Sequence, residues 1–401
     1  MYDPIALAIP GFFVLIAVEL GLGSAMGRLG GPRPLYRYVD ALTDLGCGVT
    51  SQVTGMFLTA VVANGIYTAV YNLGHLWDPP RVPNLLGQDG PGFFSASGVH
   101  LLMWIFAFIA VDFLYYWWHR ASHRVNLLWA AHVVHHQSED YNLAVALRQS
   151  ILTALTNIPF YLPLAILGIP PIVFFICSAL NTLYQFWVHT RLMGKLGPLE
   201  GLINTPSHHR VHHGINPAYI DKNHAGVFIV WDRWFGTFVE EEEEPVYGTV
   251  QPYSSAAPLW ANVEPLVKLA GLSRSLRGWD RLKIWFAPPE WRPDGNLVVP
   301  EPGEDLRWNP ESRPWQTAWT ALWFVISAVA LTWVLLIRHD LSTEVVGMVG
   351  LLVFWTITSF GWLYDQKPLW RWQEPLRLIA VLWTGIWIAN QWLAELSRLP
   401  T

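Results

Sequence analysis

The sequence is short of charge. Only 14% of its 401 residues are Asp, Glu, Lys or Arg, against the roughly 25% typical of a water-soluble domain. A larger core cannot absorb that deficit, because the surface of a folded chain still has to face water. A basic excess is missing too. The 25 Lys and Arg against 30 Asp and Glu leave a net charge of −5, which argues against a nucleic-acid partner. Cysteine is nearly absent: Cys47 and Cys177 stand apart in apolar stretches, form no C-x2-C pair or disulfide framework, and read as buried structural residues. No cleavable leader is evident at the start. What is abundant is apolar. The chain is 52% hydrophobic with a mean hydropathy of +0.29, and it carries 24 Trp and 14 Tyr, rings that favour the bilayer interface. The expected class is an all-α, multispanning membrane helix bundle.

Windows long enough to cross about 30 Å of hydrocarbon fall at 5–26, 46–73, 98–118, 151–168, 170–188, 315–337, 344–363 and 376–396. This predicts eight crossings, with the 151–188 pair alternatively a re-entrant hairpin. Basic loops alternate with poor ones. Arg28, Arg33 and Arg37 follow the first window, Arg81 alone follows the second, and Arg120, Arg124 and Arg148 follow the third. The segment 191–314 holds 13 of the 25 basic residues. Positive charge favours the cytoplasmic side, so eight spans would put both termini outside and the long segment in the cytoplasm of a bacterial inner-membrane protein. Four regions are expected: N-terminal membrane helices (1–97), a histidine-rich catalytic domain (98–245), a membrane-surface segment (246–314) and a separate C-terminal membrane unit (315–401). The run Glu240–Glu244 reads as a solvated acidic face.

Histidine is where the pattern becomes specific. Ten of the 14 histidines lie between positions 119 and 213, in boxes. His119 and His123 form H-x3-H at the end of the third window. His132, His135 and His136 form H-x2-H-H. His209, His212 and His213 repeat that spacing, preceded by His208, and His189 stands alone after the fifth window. Residues three and four apart share a helix face, so each box aims two or three imidazoles at one point. Together they exceed what one ion of four to six ligands can use, and two neighbouring metals are the natural accounting. Imidazole suits Zn, Fe, Cu and Ni alike, although a site without thiolate is unlike structural zinc. A metal carrier would place its ligands at the bilayer midplane in broken helices, whereas these boxes sit at helix ends. A membrane zinc hydrolase would need no O2. Iron acting with O2 on an apolar C–H bond fits best. His75, His100 and His339 read as ordinary polar residues.

Other polar residues fall near the boxes. Asp112 lies two turns before His119 inside an apolar window, where charge is costly, and could fix an imidazole tautomer. Tyr115, Tyr116 and Gln185 precede His119 and His189. Glu139, Asp140, Asn142 and Arg148 follow the second box and could hold ligands, cofactor or lipid head group. Asp112, Glu139 and Asn142 are the candidate catalytic residues.

The boxes H-R-A-S-H (119–123), H-V-V-H-H (132–136) and H-R-V-H-H (209–213), with Q-F-W-V-H-T around His189, resemble the fatty acid hydroxylase/sterol desaturase superfamily. Within it, H-H-Q-S-E-D-Y-N-L-A-V-A-L-R-Q-S (135–150), N-T-P-S-H-H-R-V-H-H-G (204–214), Y-I-D-K-N (219–223) and W-D-R-W-F-G-T-F (231–238) are similar to the alkylglycerol monooxygenase branch. The resemblance implies a non-haem di-iron centre, O2 as co-substrate, an ether lipid or other lipid substrate, and either tetrahydrobiopterin or a redox protein as electron donor. It implies hydroxylation next to the ether oxygen, or, in other members, hydroxylation or desaturation of sterol, fatty acyl or ornithine-type lipids. The matching metal ligands are His119, His123, His132, His135, His136, His189, His208, His209, His212 and His213. His224 stands after D-K-N where the family often has an aromatic residue, and joins the candidate ligands.

Overall fold

A computed structural model describes residues 4–31, 33–77, 98–301, 307–338 and 340–396. Arg81, His339 and the side chain of His100 lie outside the described residues. Fourteen α-helices are described: α1 (Pro4–Ala25), α2 (Tyr38–Phe57), α3 (Thr59–Leu73), α4 (Gly98–Arg124), α5 (Asn126–His136), α6 (Thr153–Leu167), α7 (Pro171–Tyr184), α8 (Pro206–His212), α9 (Val230–Phe235), α10 (Pro258–Ser275), α11 (Asp280–Phe286), α12 (Pro314–Ile337), α13 (Thr343–Tyr364) and α14 (Leu369–Leu396). No strand is present among the described residues, only two isolated bridges.

The expected eight crossings are not found. Among the described residues four helices are long and apolar enough to cross a bilayer: Ala6–Ala25 within α1, Leu101–Arg124 within α4, α12 and α13. A fifth span is available only if α2 and α3, bent by 47° at their junction, count as one. The physical reason is length. The helices α6 and α7 have 15 and 14 residues, and at 1.5 Å per residue they reach little more than 20 Å. Joined by the turn at Gly168, they touch through Tyr161 and Phe174 and pack mainly against α3 and α4. The helix α14 has the length, yet Arg371, Glu374 and Arg377 in its first half and Asn390 and Gln391 in its second leave it less apolar than the other long helices. Sidedness of the termini therefore loses the support of an even count.

Surfaces and cores are arranged for lipid. The helix α4 exposes Leu101, Leu102, Ile105, Phe106 and Ile109, and α12 exposes Leu322, Val325, Ile326 and Val329. Exposed apolar stripes of this size are what a hydrocarbon solvent tolerates and water does not. One core joins α3, α4, α6 and α7 through Tyr67, Met103, Val111, Tyr161 and Phe174, with Tyr67 stacked on Phe174 at 4.2 Å between ring centroids. A second joins α1, α2, α12 and α13 through Ala6, Val39, Val53, Phe324, Leu331, Ile357 and Phe360. The last helices thus pack into the body of the molecule and do not stand apart. At Gly361 the backbone of α13 meets Ala257 so closely that a Cβ there would lie 2.2 Å from the Ala257 Cα. Cys47 and Cys177 are buried and free.

Buried charge fixes how these layers meet. Arg148 is 1% exposed and Asp44, on α2, is 0%. Arg148 donates from Nη1 to Asp44 Oδ1 (3.0 Å), from Nε to the Val134 carbonyl (2.6 Å) and from Nη2 to Gln137 Oε1 (2.9 Å). Arg37, just before α2, and Arg307 both reach Asp140 Oδ1, at 3.1 and 3.0 Å, and Arg37 also donates to the Trp308 carbonyl (2.9 Å). The irregular chain before α12 is thereby tied to the loop after the second histidine box.

Removing one member of a buried pair strands the other charge, which costs about 3–5 kcal/mol. Arg148→Met should lower stability by that amount, and Asp44→Asn with Arg148→Met should recover part of the loss. Thermal melting in detergent checks this; equal losses in the single and double variants would show that the pair is not what matters.

Candidate metal centre

The boxes reach one place from four elements. The helix α4 ends with His119 and His123 one turn apart, α5 carries His132, His135 and His136 on its last turns, and His189 follows α7. The seven-residue α8, entered through Pro206, which fits the first turn of a helix, brings His209 and His212, with His213 directly after it. Nine of these imidazoles assemble into two buried groups. His119, His123, His132, His136 and His212 form one, and His135, His189, His209 and His213 the other; within each, one ring nitrogen per residue lies within 4.8 Å of all the rest. The groups are contiguous: the rings of His136 and His213 stack with centroids 4.4 Å apart.

The backbone decides where each ring proton points. Nδ1 of His119 donates to the His224 carbonyl (2.8 Å), that of His135 to the Arg148 carbonyl (3.0 Å), that of His189 to the Gln185 carbonyl (2.7 Å) and that of His212 to the Lys222 carbonyl (2.9 Å). A carbonyl can only accept, so each of these nitrogens carries the proton and Nε2 is left as a lone pair. The Nε2 atoms then converge: His135 and His189 at 3.2 Å, His189 and His209 at 3.1 Å, His119 and His132 at 3.0 Å. His135 and His189 have no proton to share at that distance, so their lone pairs face one another. His123, His212 and His213 each bury an Nε2 with no partner. Such an arrangement is repulsive for a bare pair. It is the donor set a cation wants, because nitrogens bonded to one ion at about 2.0–2.1 Å sit roughly 3 Å from each other. The residues therefore fit metal on both groups.

Electrostatics agree. Burial, and after it the neighbouring imidazoles, hold His132, His136, His209, His212 and His213 well below the ordinary imidazole range. The same causes lower His189, and burial takes His135 down to about 4. All are neutral at pH 7, the ligating form.

The remaining candidates lie elsewhere. The His208 ring points away from both groups, edge-on to Phe238 with Nε2 3.9 Å from Glu200 Oε2. His224 borders the first group, its ring centroid 5.1 Å from that of His123, with both ring nitrogens buried and unpartnered and Nδ1 3.7 Å from Asp232 Oδ1. Asp112 touches no imidazole. Its carboxylate accepts from the Val227 and Phe228 amides (2.6 and 3.0 Å), Trp231 Nε1 (2.8 Å) and Asn181 Nδ2 (2.6 Å), so the tautomer-fixing task expected of it falls to backbone carbonyls. A Cβ at Gly226 would sit 2.7 Å from Asp112 Oδ1, so the loop needs glycine there. Glu139 accepts from the Trp308 amide (2.8 Å) and lies 3.5 Å from Arg37; burial raises its carboxyl to about 7. Asn142 donates to the Leu35 carbonyl (2.9 Å) and accepts from the Ala144 amide (3.0 Å). Both are occupied in holding the loop. Tyr116 meets the Thr237 hydroxyl (3.0 Å).

Sequence reading missed the residues that hold the carbonyls. Asp232 accepts from the His224 and Ala225 amides (both 2.8 Å) and so fixes the carbonyl that anchors His119. Arg210, inside the third box, is clamped by both oxygens of Glu241 at 2.6 Å, which takes Glu241 out of the solvated run assigned to it.

Two cavities reach the imidazoles from opposite sides of α5. One, of about 810 Å³, touches His123, His136, His212 and His213 and is rimmed by Arg124, Asp221, Glu264 and Lys268. The other, of about 320 Å³, touches His132, His135 and His189 and runs between membrane helices.

A family model described as fatty acid hydroxylase matches residues 104–237. The chain is 36% identical over 388 residues to alkylglycerol monooxygenase of Homo sapiens, covering 95% of this chain and 82% of that protein. Against alkylglycerol monooxygenase of Xenopus tropicalis the identity is 35% over 378 residues (92% and 79%), and against that of Danio rerio 36% over 390 residues (94% and 80%). No solved structure matches the chain.

Because these histidines refuse protons that the unfolded chain accepts, stability present above about pH 6.5 should be lost as the pH falls towards 4, where His135 titrates. Melting of metal-free protein across that range checks the sign; a flat profile would contradict it.

Proposed function

The chain belongs to the fatty acid hydroxylase family, where its relatives are alkylglycerol monooxygenases, and we propose that it is a di-iron, O2-dependent enzyme that hydroxylates an ether lipid on the carbon beside the ether oxygen. The coarser reading, a membrane-bound lipid monooxygenase, stands on family membership and the membrane helices. The observation that supports the finer one is the pair of contiguous imidazole groups with their lone pairs turned inward. His119, His123, His132, His136 and His212 would hold one iron and His135, His189, His209 and His213 the other. Bound iron would supply the oxidation of that C–H bond by O2, which no side chain here can do.

The chain's own residues do the rest. The cavity between membrane helices takes the apolar chain and brings its first carbon to His132, His135 and His189. The aromatic and aliphatic residues that α1 and α12 contribute to its wall limit water around the bound chain. The carbonyls of Arg148, Gln185, His224 and Lys222 keep the rings from turning. In balance, the ether carbon, O2, two electrons and two protons give a hemiacetal and water, and the hemiacetal separates into an aldehyde and a glycerol derivative. The electrons come from outside, from a reduced pterin such as tetrahydrobiopterin or from a redox protein.

Sidedness belongs to the same proposal. Basic residues from distant loops gather on the imidazole side: Arg28 donates to the Arg191 carbonyl (3.2 Å), Arg37 pairs with Asp140, and Arg124 pairs with Asp221. A face rich in Lys and Arg belongs in the cytoplasm. A cysteine placed at Lys195, which is exposed, should react with an impermeant maleimide only after the cell interior is opened; labelling of intact cells would reverse the orientation.

The main test uses labelled alkylglycerol with purified protein, under air and under nitrogen, with tetrahydrobiopterin and with a ferredoxin-type donor. Aldehyde should appear only with O2 and a reductant, the protein should hold about two irons, and His135→Ala or His212→Ala should abolish turnover. A hydroxylated or desaturated lipid without aldehyde would select the alternative substrates, and turnover under nitrogen would select a hydrolase.

A further inference from the structure

The cavity between membrane helices is not made by the family-matched segment alone. Phe12 and Phe13 of α1 and Phe324, Ala328, Leu331 and Thr332 of α12 line the same space as His132, His135 and His189. Both helices lie outside residues 104–237. They are joined to each other and to the site: Phe13 meets Phe324 edge-on with ring centroids 6.2 Å apart, and Phe12 stacks on Phe186, three residues before His189, at 4.4 Å.

The depth of this wall can be read along α12. The Tyr38 hydroxyl, at the start of α2, donates to the Thr317 carbonyl (3.1 Å) and lies 2.9 Å from the Thr320 hydroxyl. The start of α12 is therefore level with Arg37 and its partner Asp140, in the loop after the second box. From Thr320, at 1.5 Å per residue, Ala328 lies roughly 12 Å and Thr332 roughly 18 Å further into the hydrocarbon. The lining changes along that path. Near the imidazoles it offers Asn181 and Gln185; along α1 and α12 it is aromatic and aliphatic, with Thr332 the single polar residue those two helices contribute. The polar residues of the lining, Ser51, Gln52, Gln149 and Asn157 among them, come from α2, α6 and the chain before α6, so the α1 and α12 side is the apolar wall against which a linear alkyl chain would lie.

We infer that α1 and α12 set which alkyl chain lengths are accepted, with Leu331 and Thr332 forming the distal limit, Ala328 the point where the wall can be narrowed before it, and Phe13 the facing wall. This rests on the ether-lipid reading above and adds where selectivity resides. One methylene in an apolar pocket is worth about 10- to 200-fold in kcat/KM, so a limit of this kind produces a sharp optimum.

The experiment compares wild type, Ala328→Phe and Phe13→Ala on 1-O-alkylglycerols from dodecyl to eicosyl, by aldehyde released. Ala328→Phe should reduce octadecyl turnover relative to dodecyl by about tenfold or more, and Phe13→Ala should move the optimum to longer chains. In parallel, an alkylglycerol with a diazirine on its terminal carbon is photocrosslinked to the metal-free wild-type protein, where the label should fall on peptides of α1 and α12. Unchanged length preference in both variants, or crosslinks confined to α4, α6 and α7, would overturn the inference. If wild type releases no aldehyde from any chain yet the label falls on α12, the ether-lipid reading fails and the chain site stands. If Ala328→Phe does not fold, Phe13→Ala and the crosslinks decide.

Discussion

An imidazole at neutral pH has one ring proton and one lone pair, and a buried ring must place both. In this protein four of the rings hand the proton outward to a backbone carbonyl, which leaves the lone pairs crowded together inside. Left alone that interior is unfavourable, since facing acceptors in a low-dielectric setting are neither solvated nor bonded. The need to hold them there explains much of the surrounding architecture. Arg148 is tethered at three points by buried partners because its own carbonyl orients His135. Asp232 grips the amides of His224 and Ala225, and Asp112 grips those of Val227 and Phe228, because the His224 carbonyl between these anchors orients His119. The carboxylates near the site are thus one layer behind the imidazoles, acting through backbone.

That layering explains what could be read from the sequence. H-x3-H and H-x2-H-H are local, so helix periodicity alone brings their rings together, and eight of the nine grouped histidines come from such boxes. His189 is solitary, and only its place after an apolar window marked it. Spacing did not separate His208 from His209, since both stand three or four residues before His212; the packing of α8 turns one inward and the other onto Phe238. Spacing did not assign the anchoring residues their partners, even where, as with Arg148 and Asp232, they stand inside stretches the resemblance marks. Arg37, Asp44, Arg148 and Asp232 are single charges whose partners are mostly remote, Arg37 and Asp140 being 103 positions apart. Asp44, a carboxylate within a largely apolar helix, offered the same signal that drew notice to Asp112.

Hydropathy windows failed in a different way. They weigh composition and are blind to where a helix stops or bends. The apolar stretch 151–188 contains enough hydrophobic residues for two crossings, but Gly168, with φ of 104°, and the following Pro170 and Pro171 divide it into helices too short to span. The stretch 46–73 bends where α2 meets α3. These shortened elements are the ones beside the site: α2, α6 and α7 all line the cavity that reaches His135 and His189. A helix that ended at the far side of the bilayer would seal that space, whereas short and bent ones leave room for a chain.

The C-terminal helices contribute to this room through a buried ion pair. Arg377, 0% exposed, donates from Nε to Glu374 Oε2 (2.9 Å) and from Nη1 to the Thr356 hydroxyl (3.1 Å), while its guanidinium carbon lies 4.2 Å from the centre of the Trp323 ring. Glu374 also accepts from Trp319 Nε1 (2.9 Å). Such a pair adds little net stability, because desolvation offsets attraction, but any shift that breaks it is strongly unfavourable. The consequence falls on α12, since Trp319 and Trp323 are held from one side and Phe324, the next residue, faces the cavity. A rotation of α12 by one residue would move Trp323 off the guanidinium and carry Phe324, Ala328 and Leu331 out of the wall together. The core shared with α1, α2 and α13 seats α12 from one side and the buried Arg377–Glu374 pair holds it from α14, and the shape of the space leading to the imidazoles depends on the register the two maintain together.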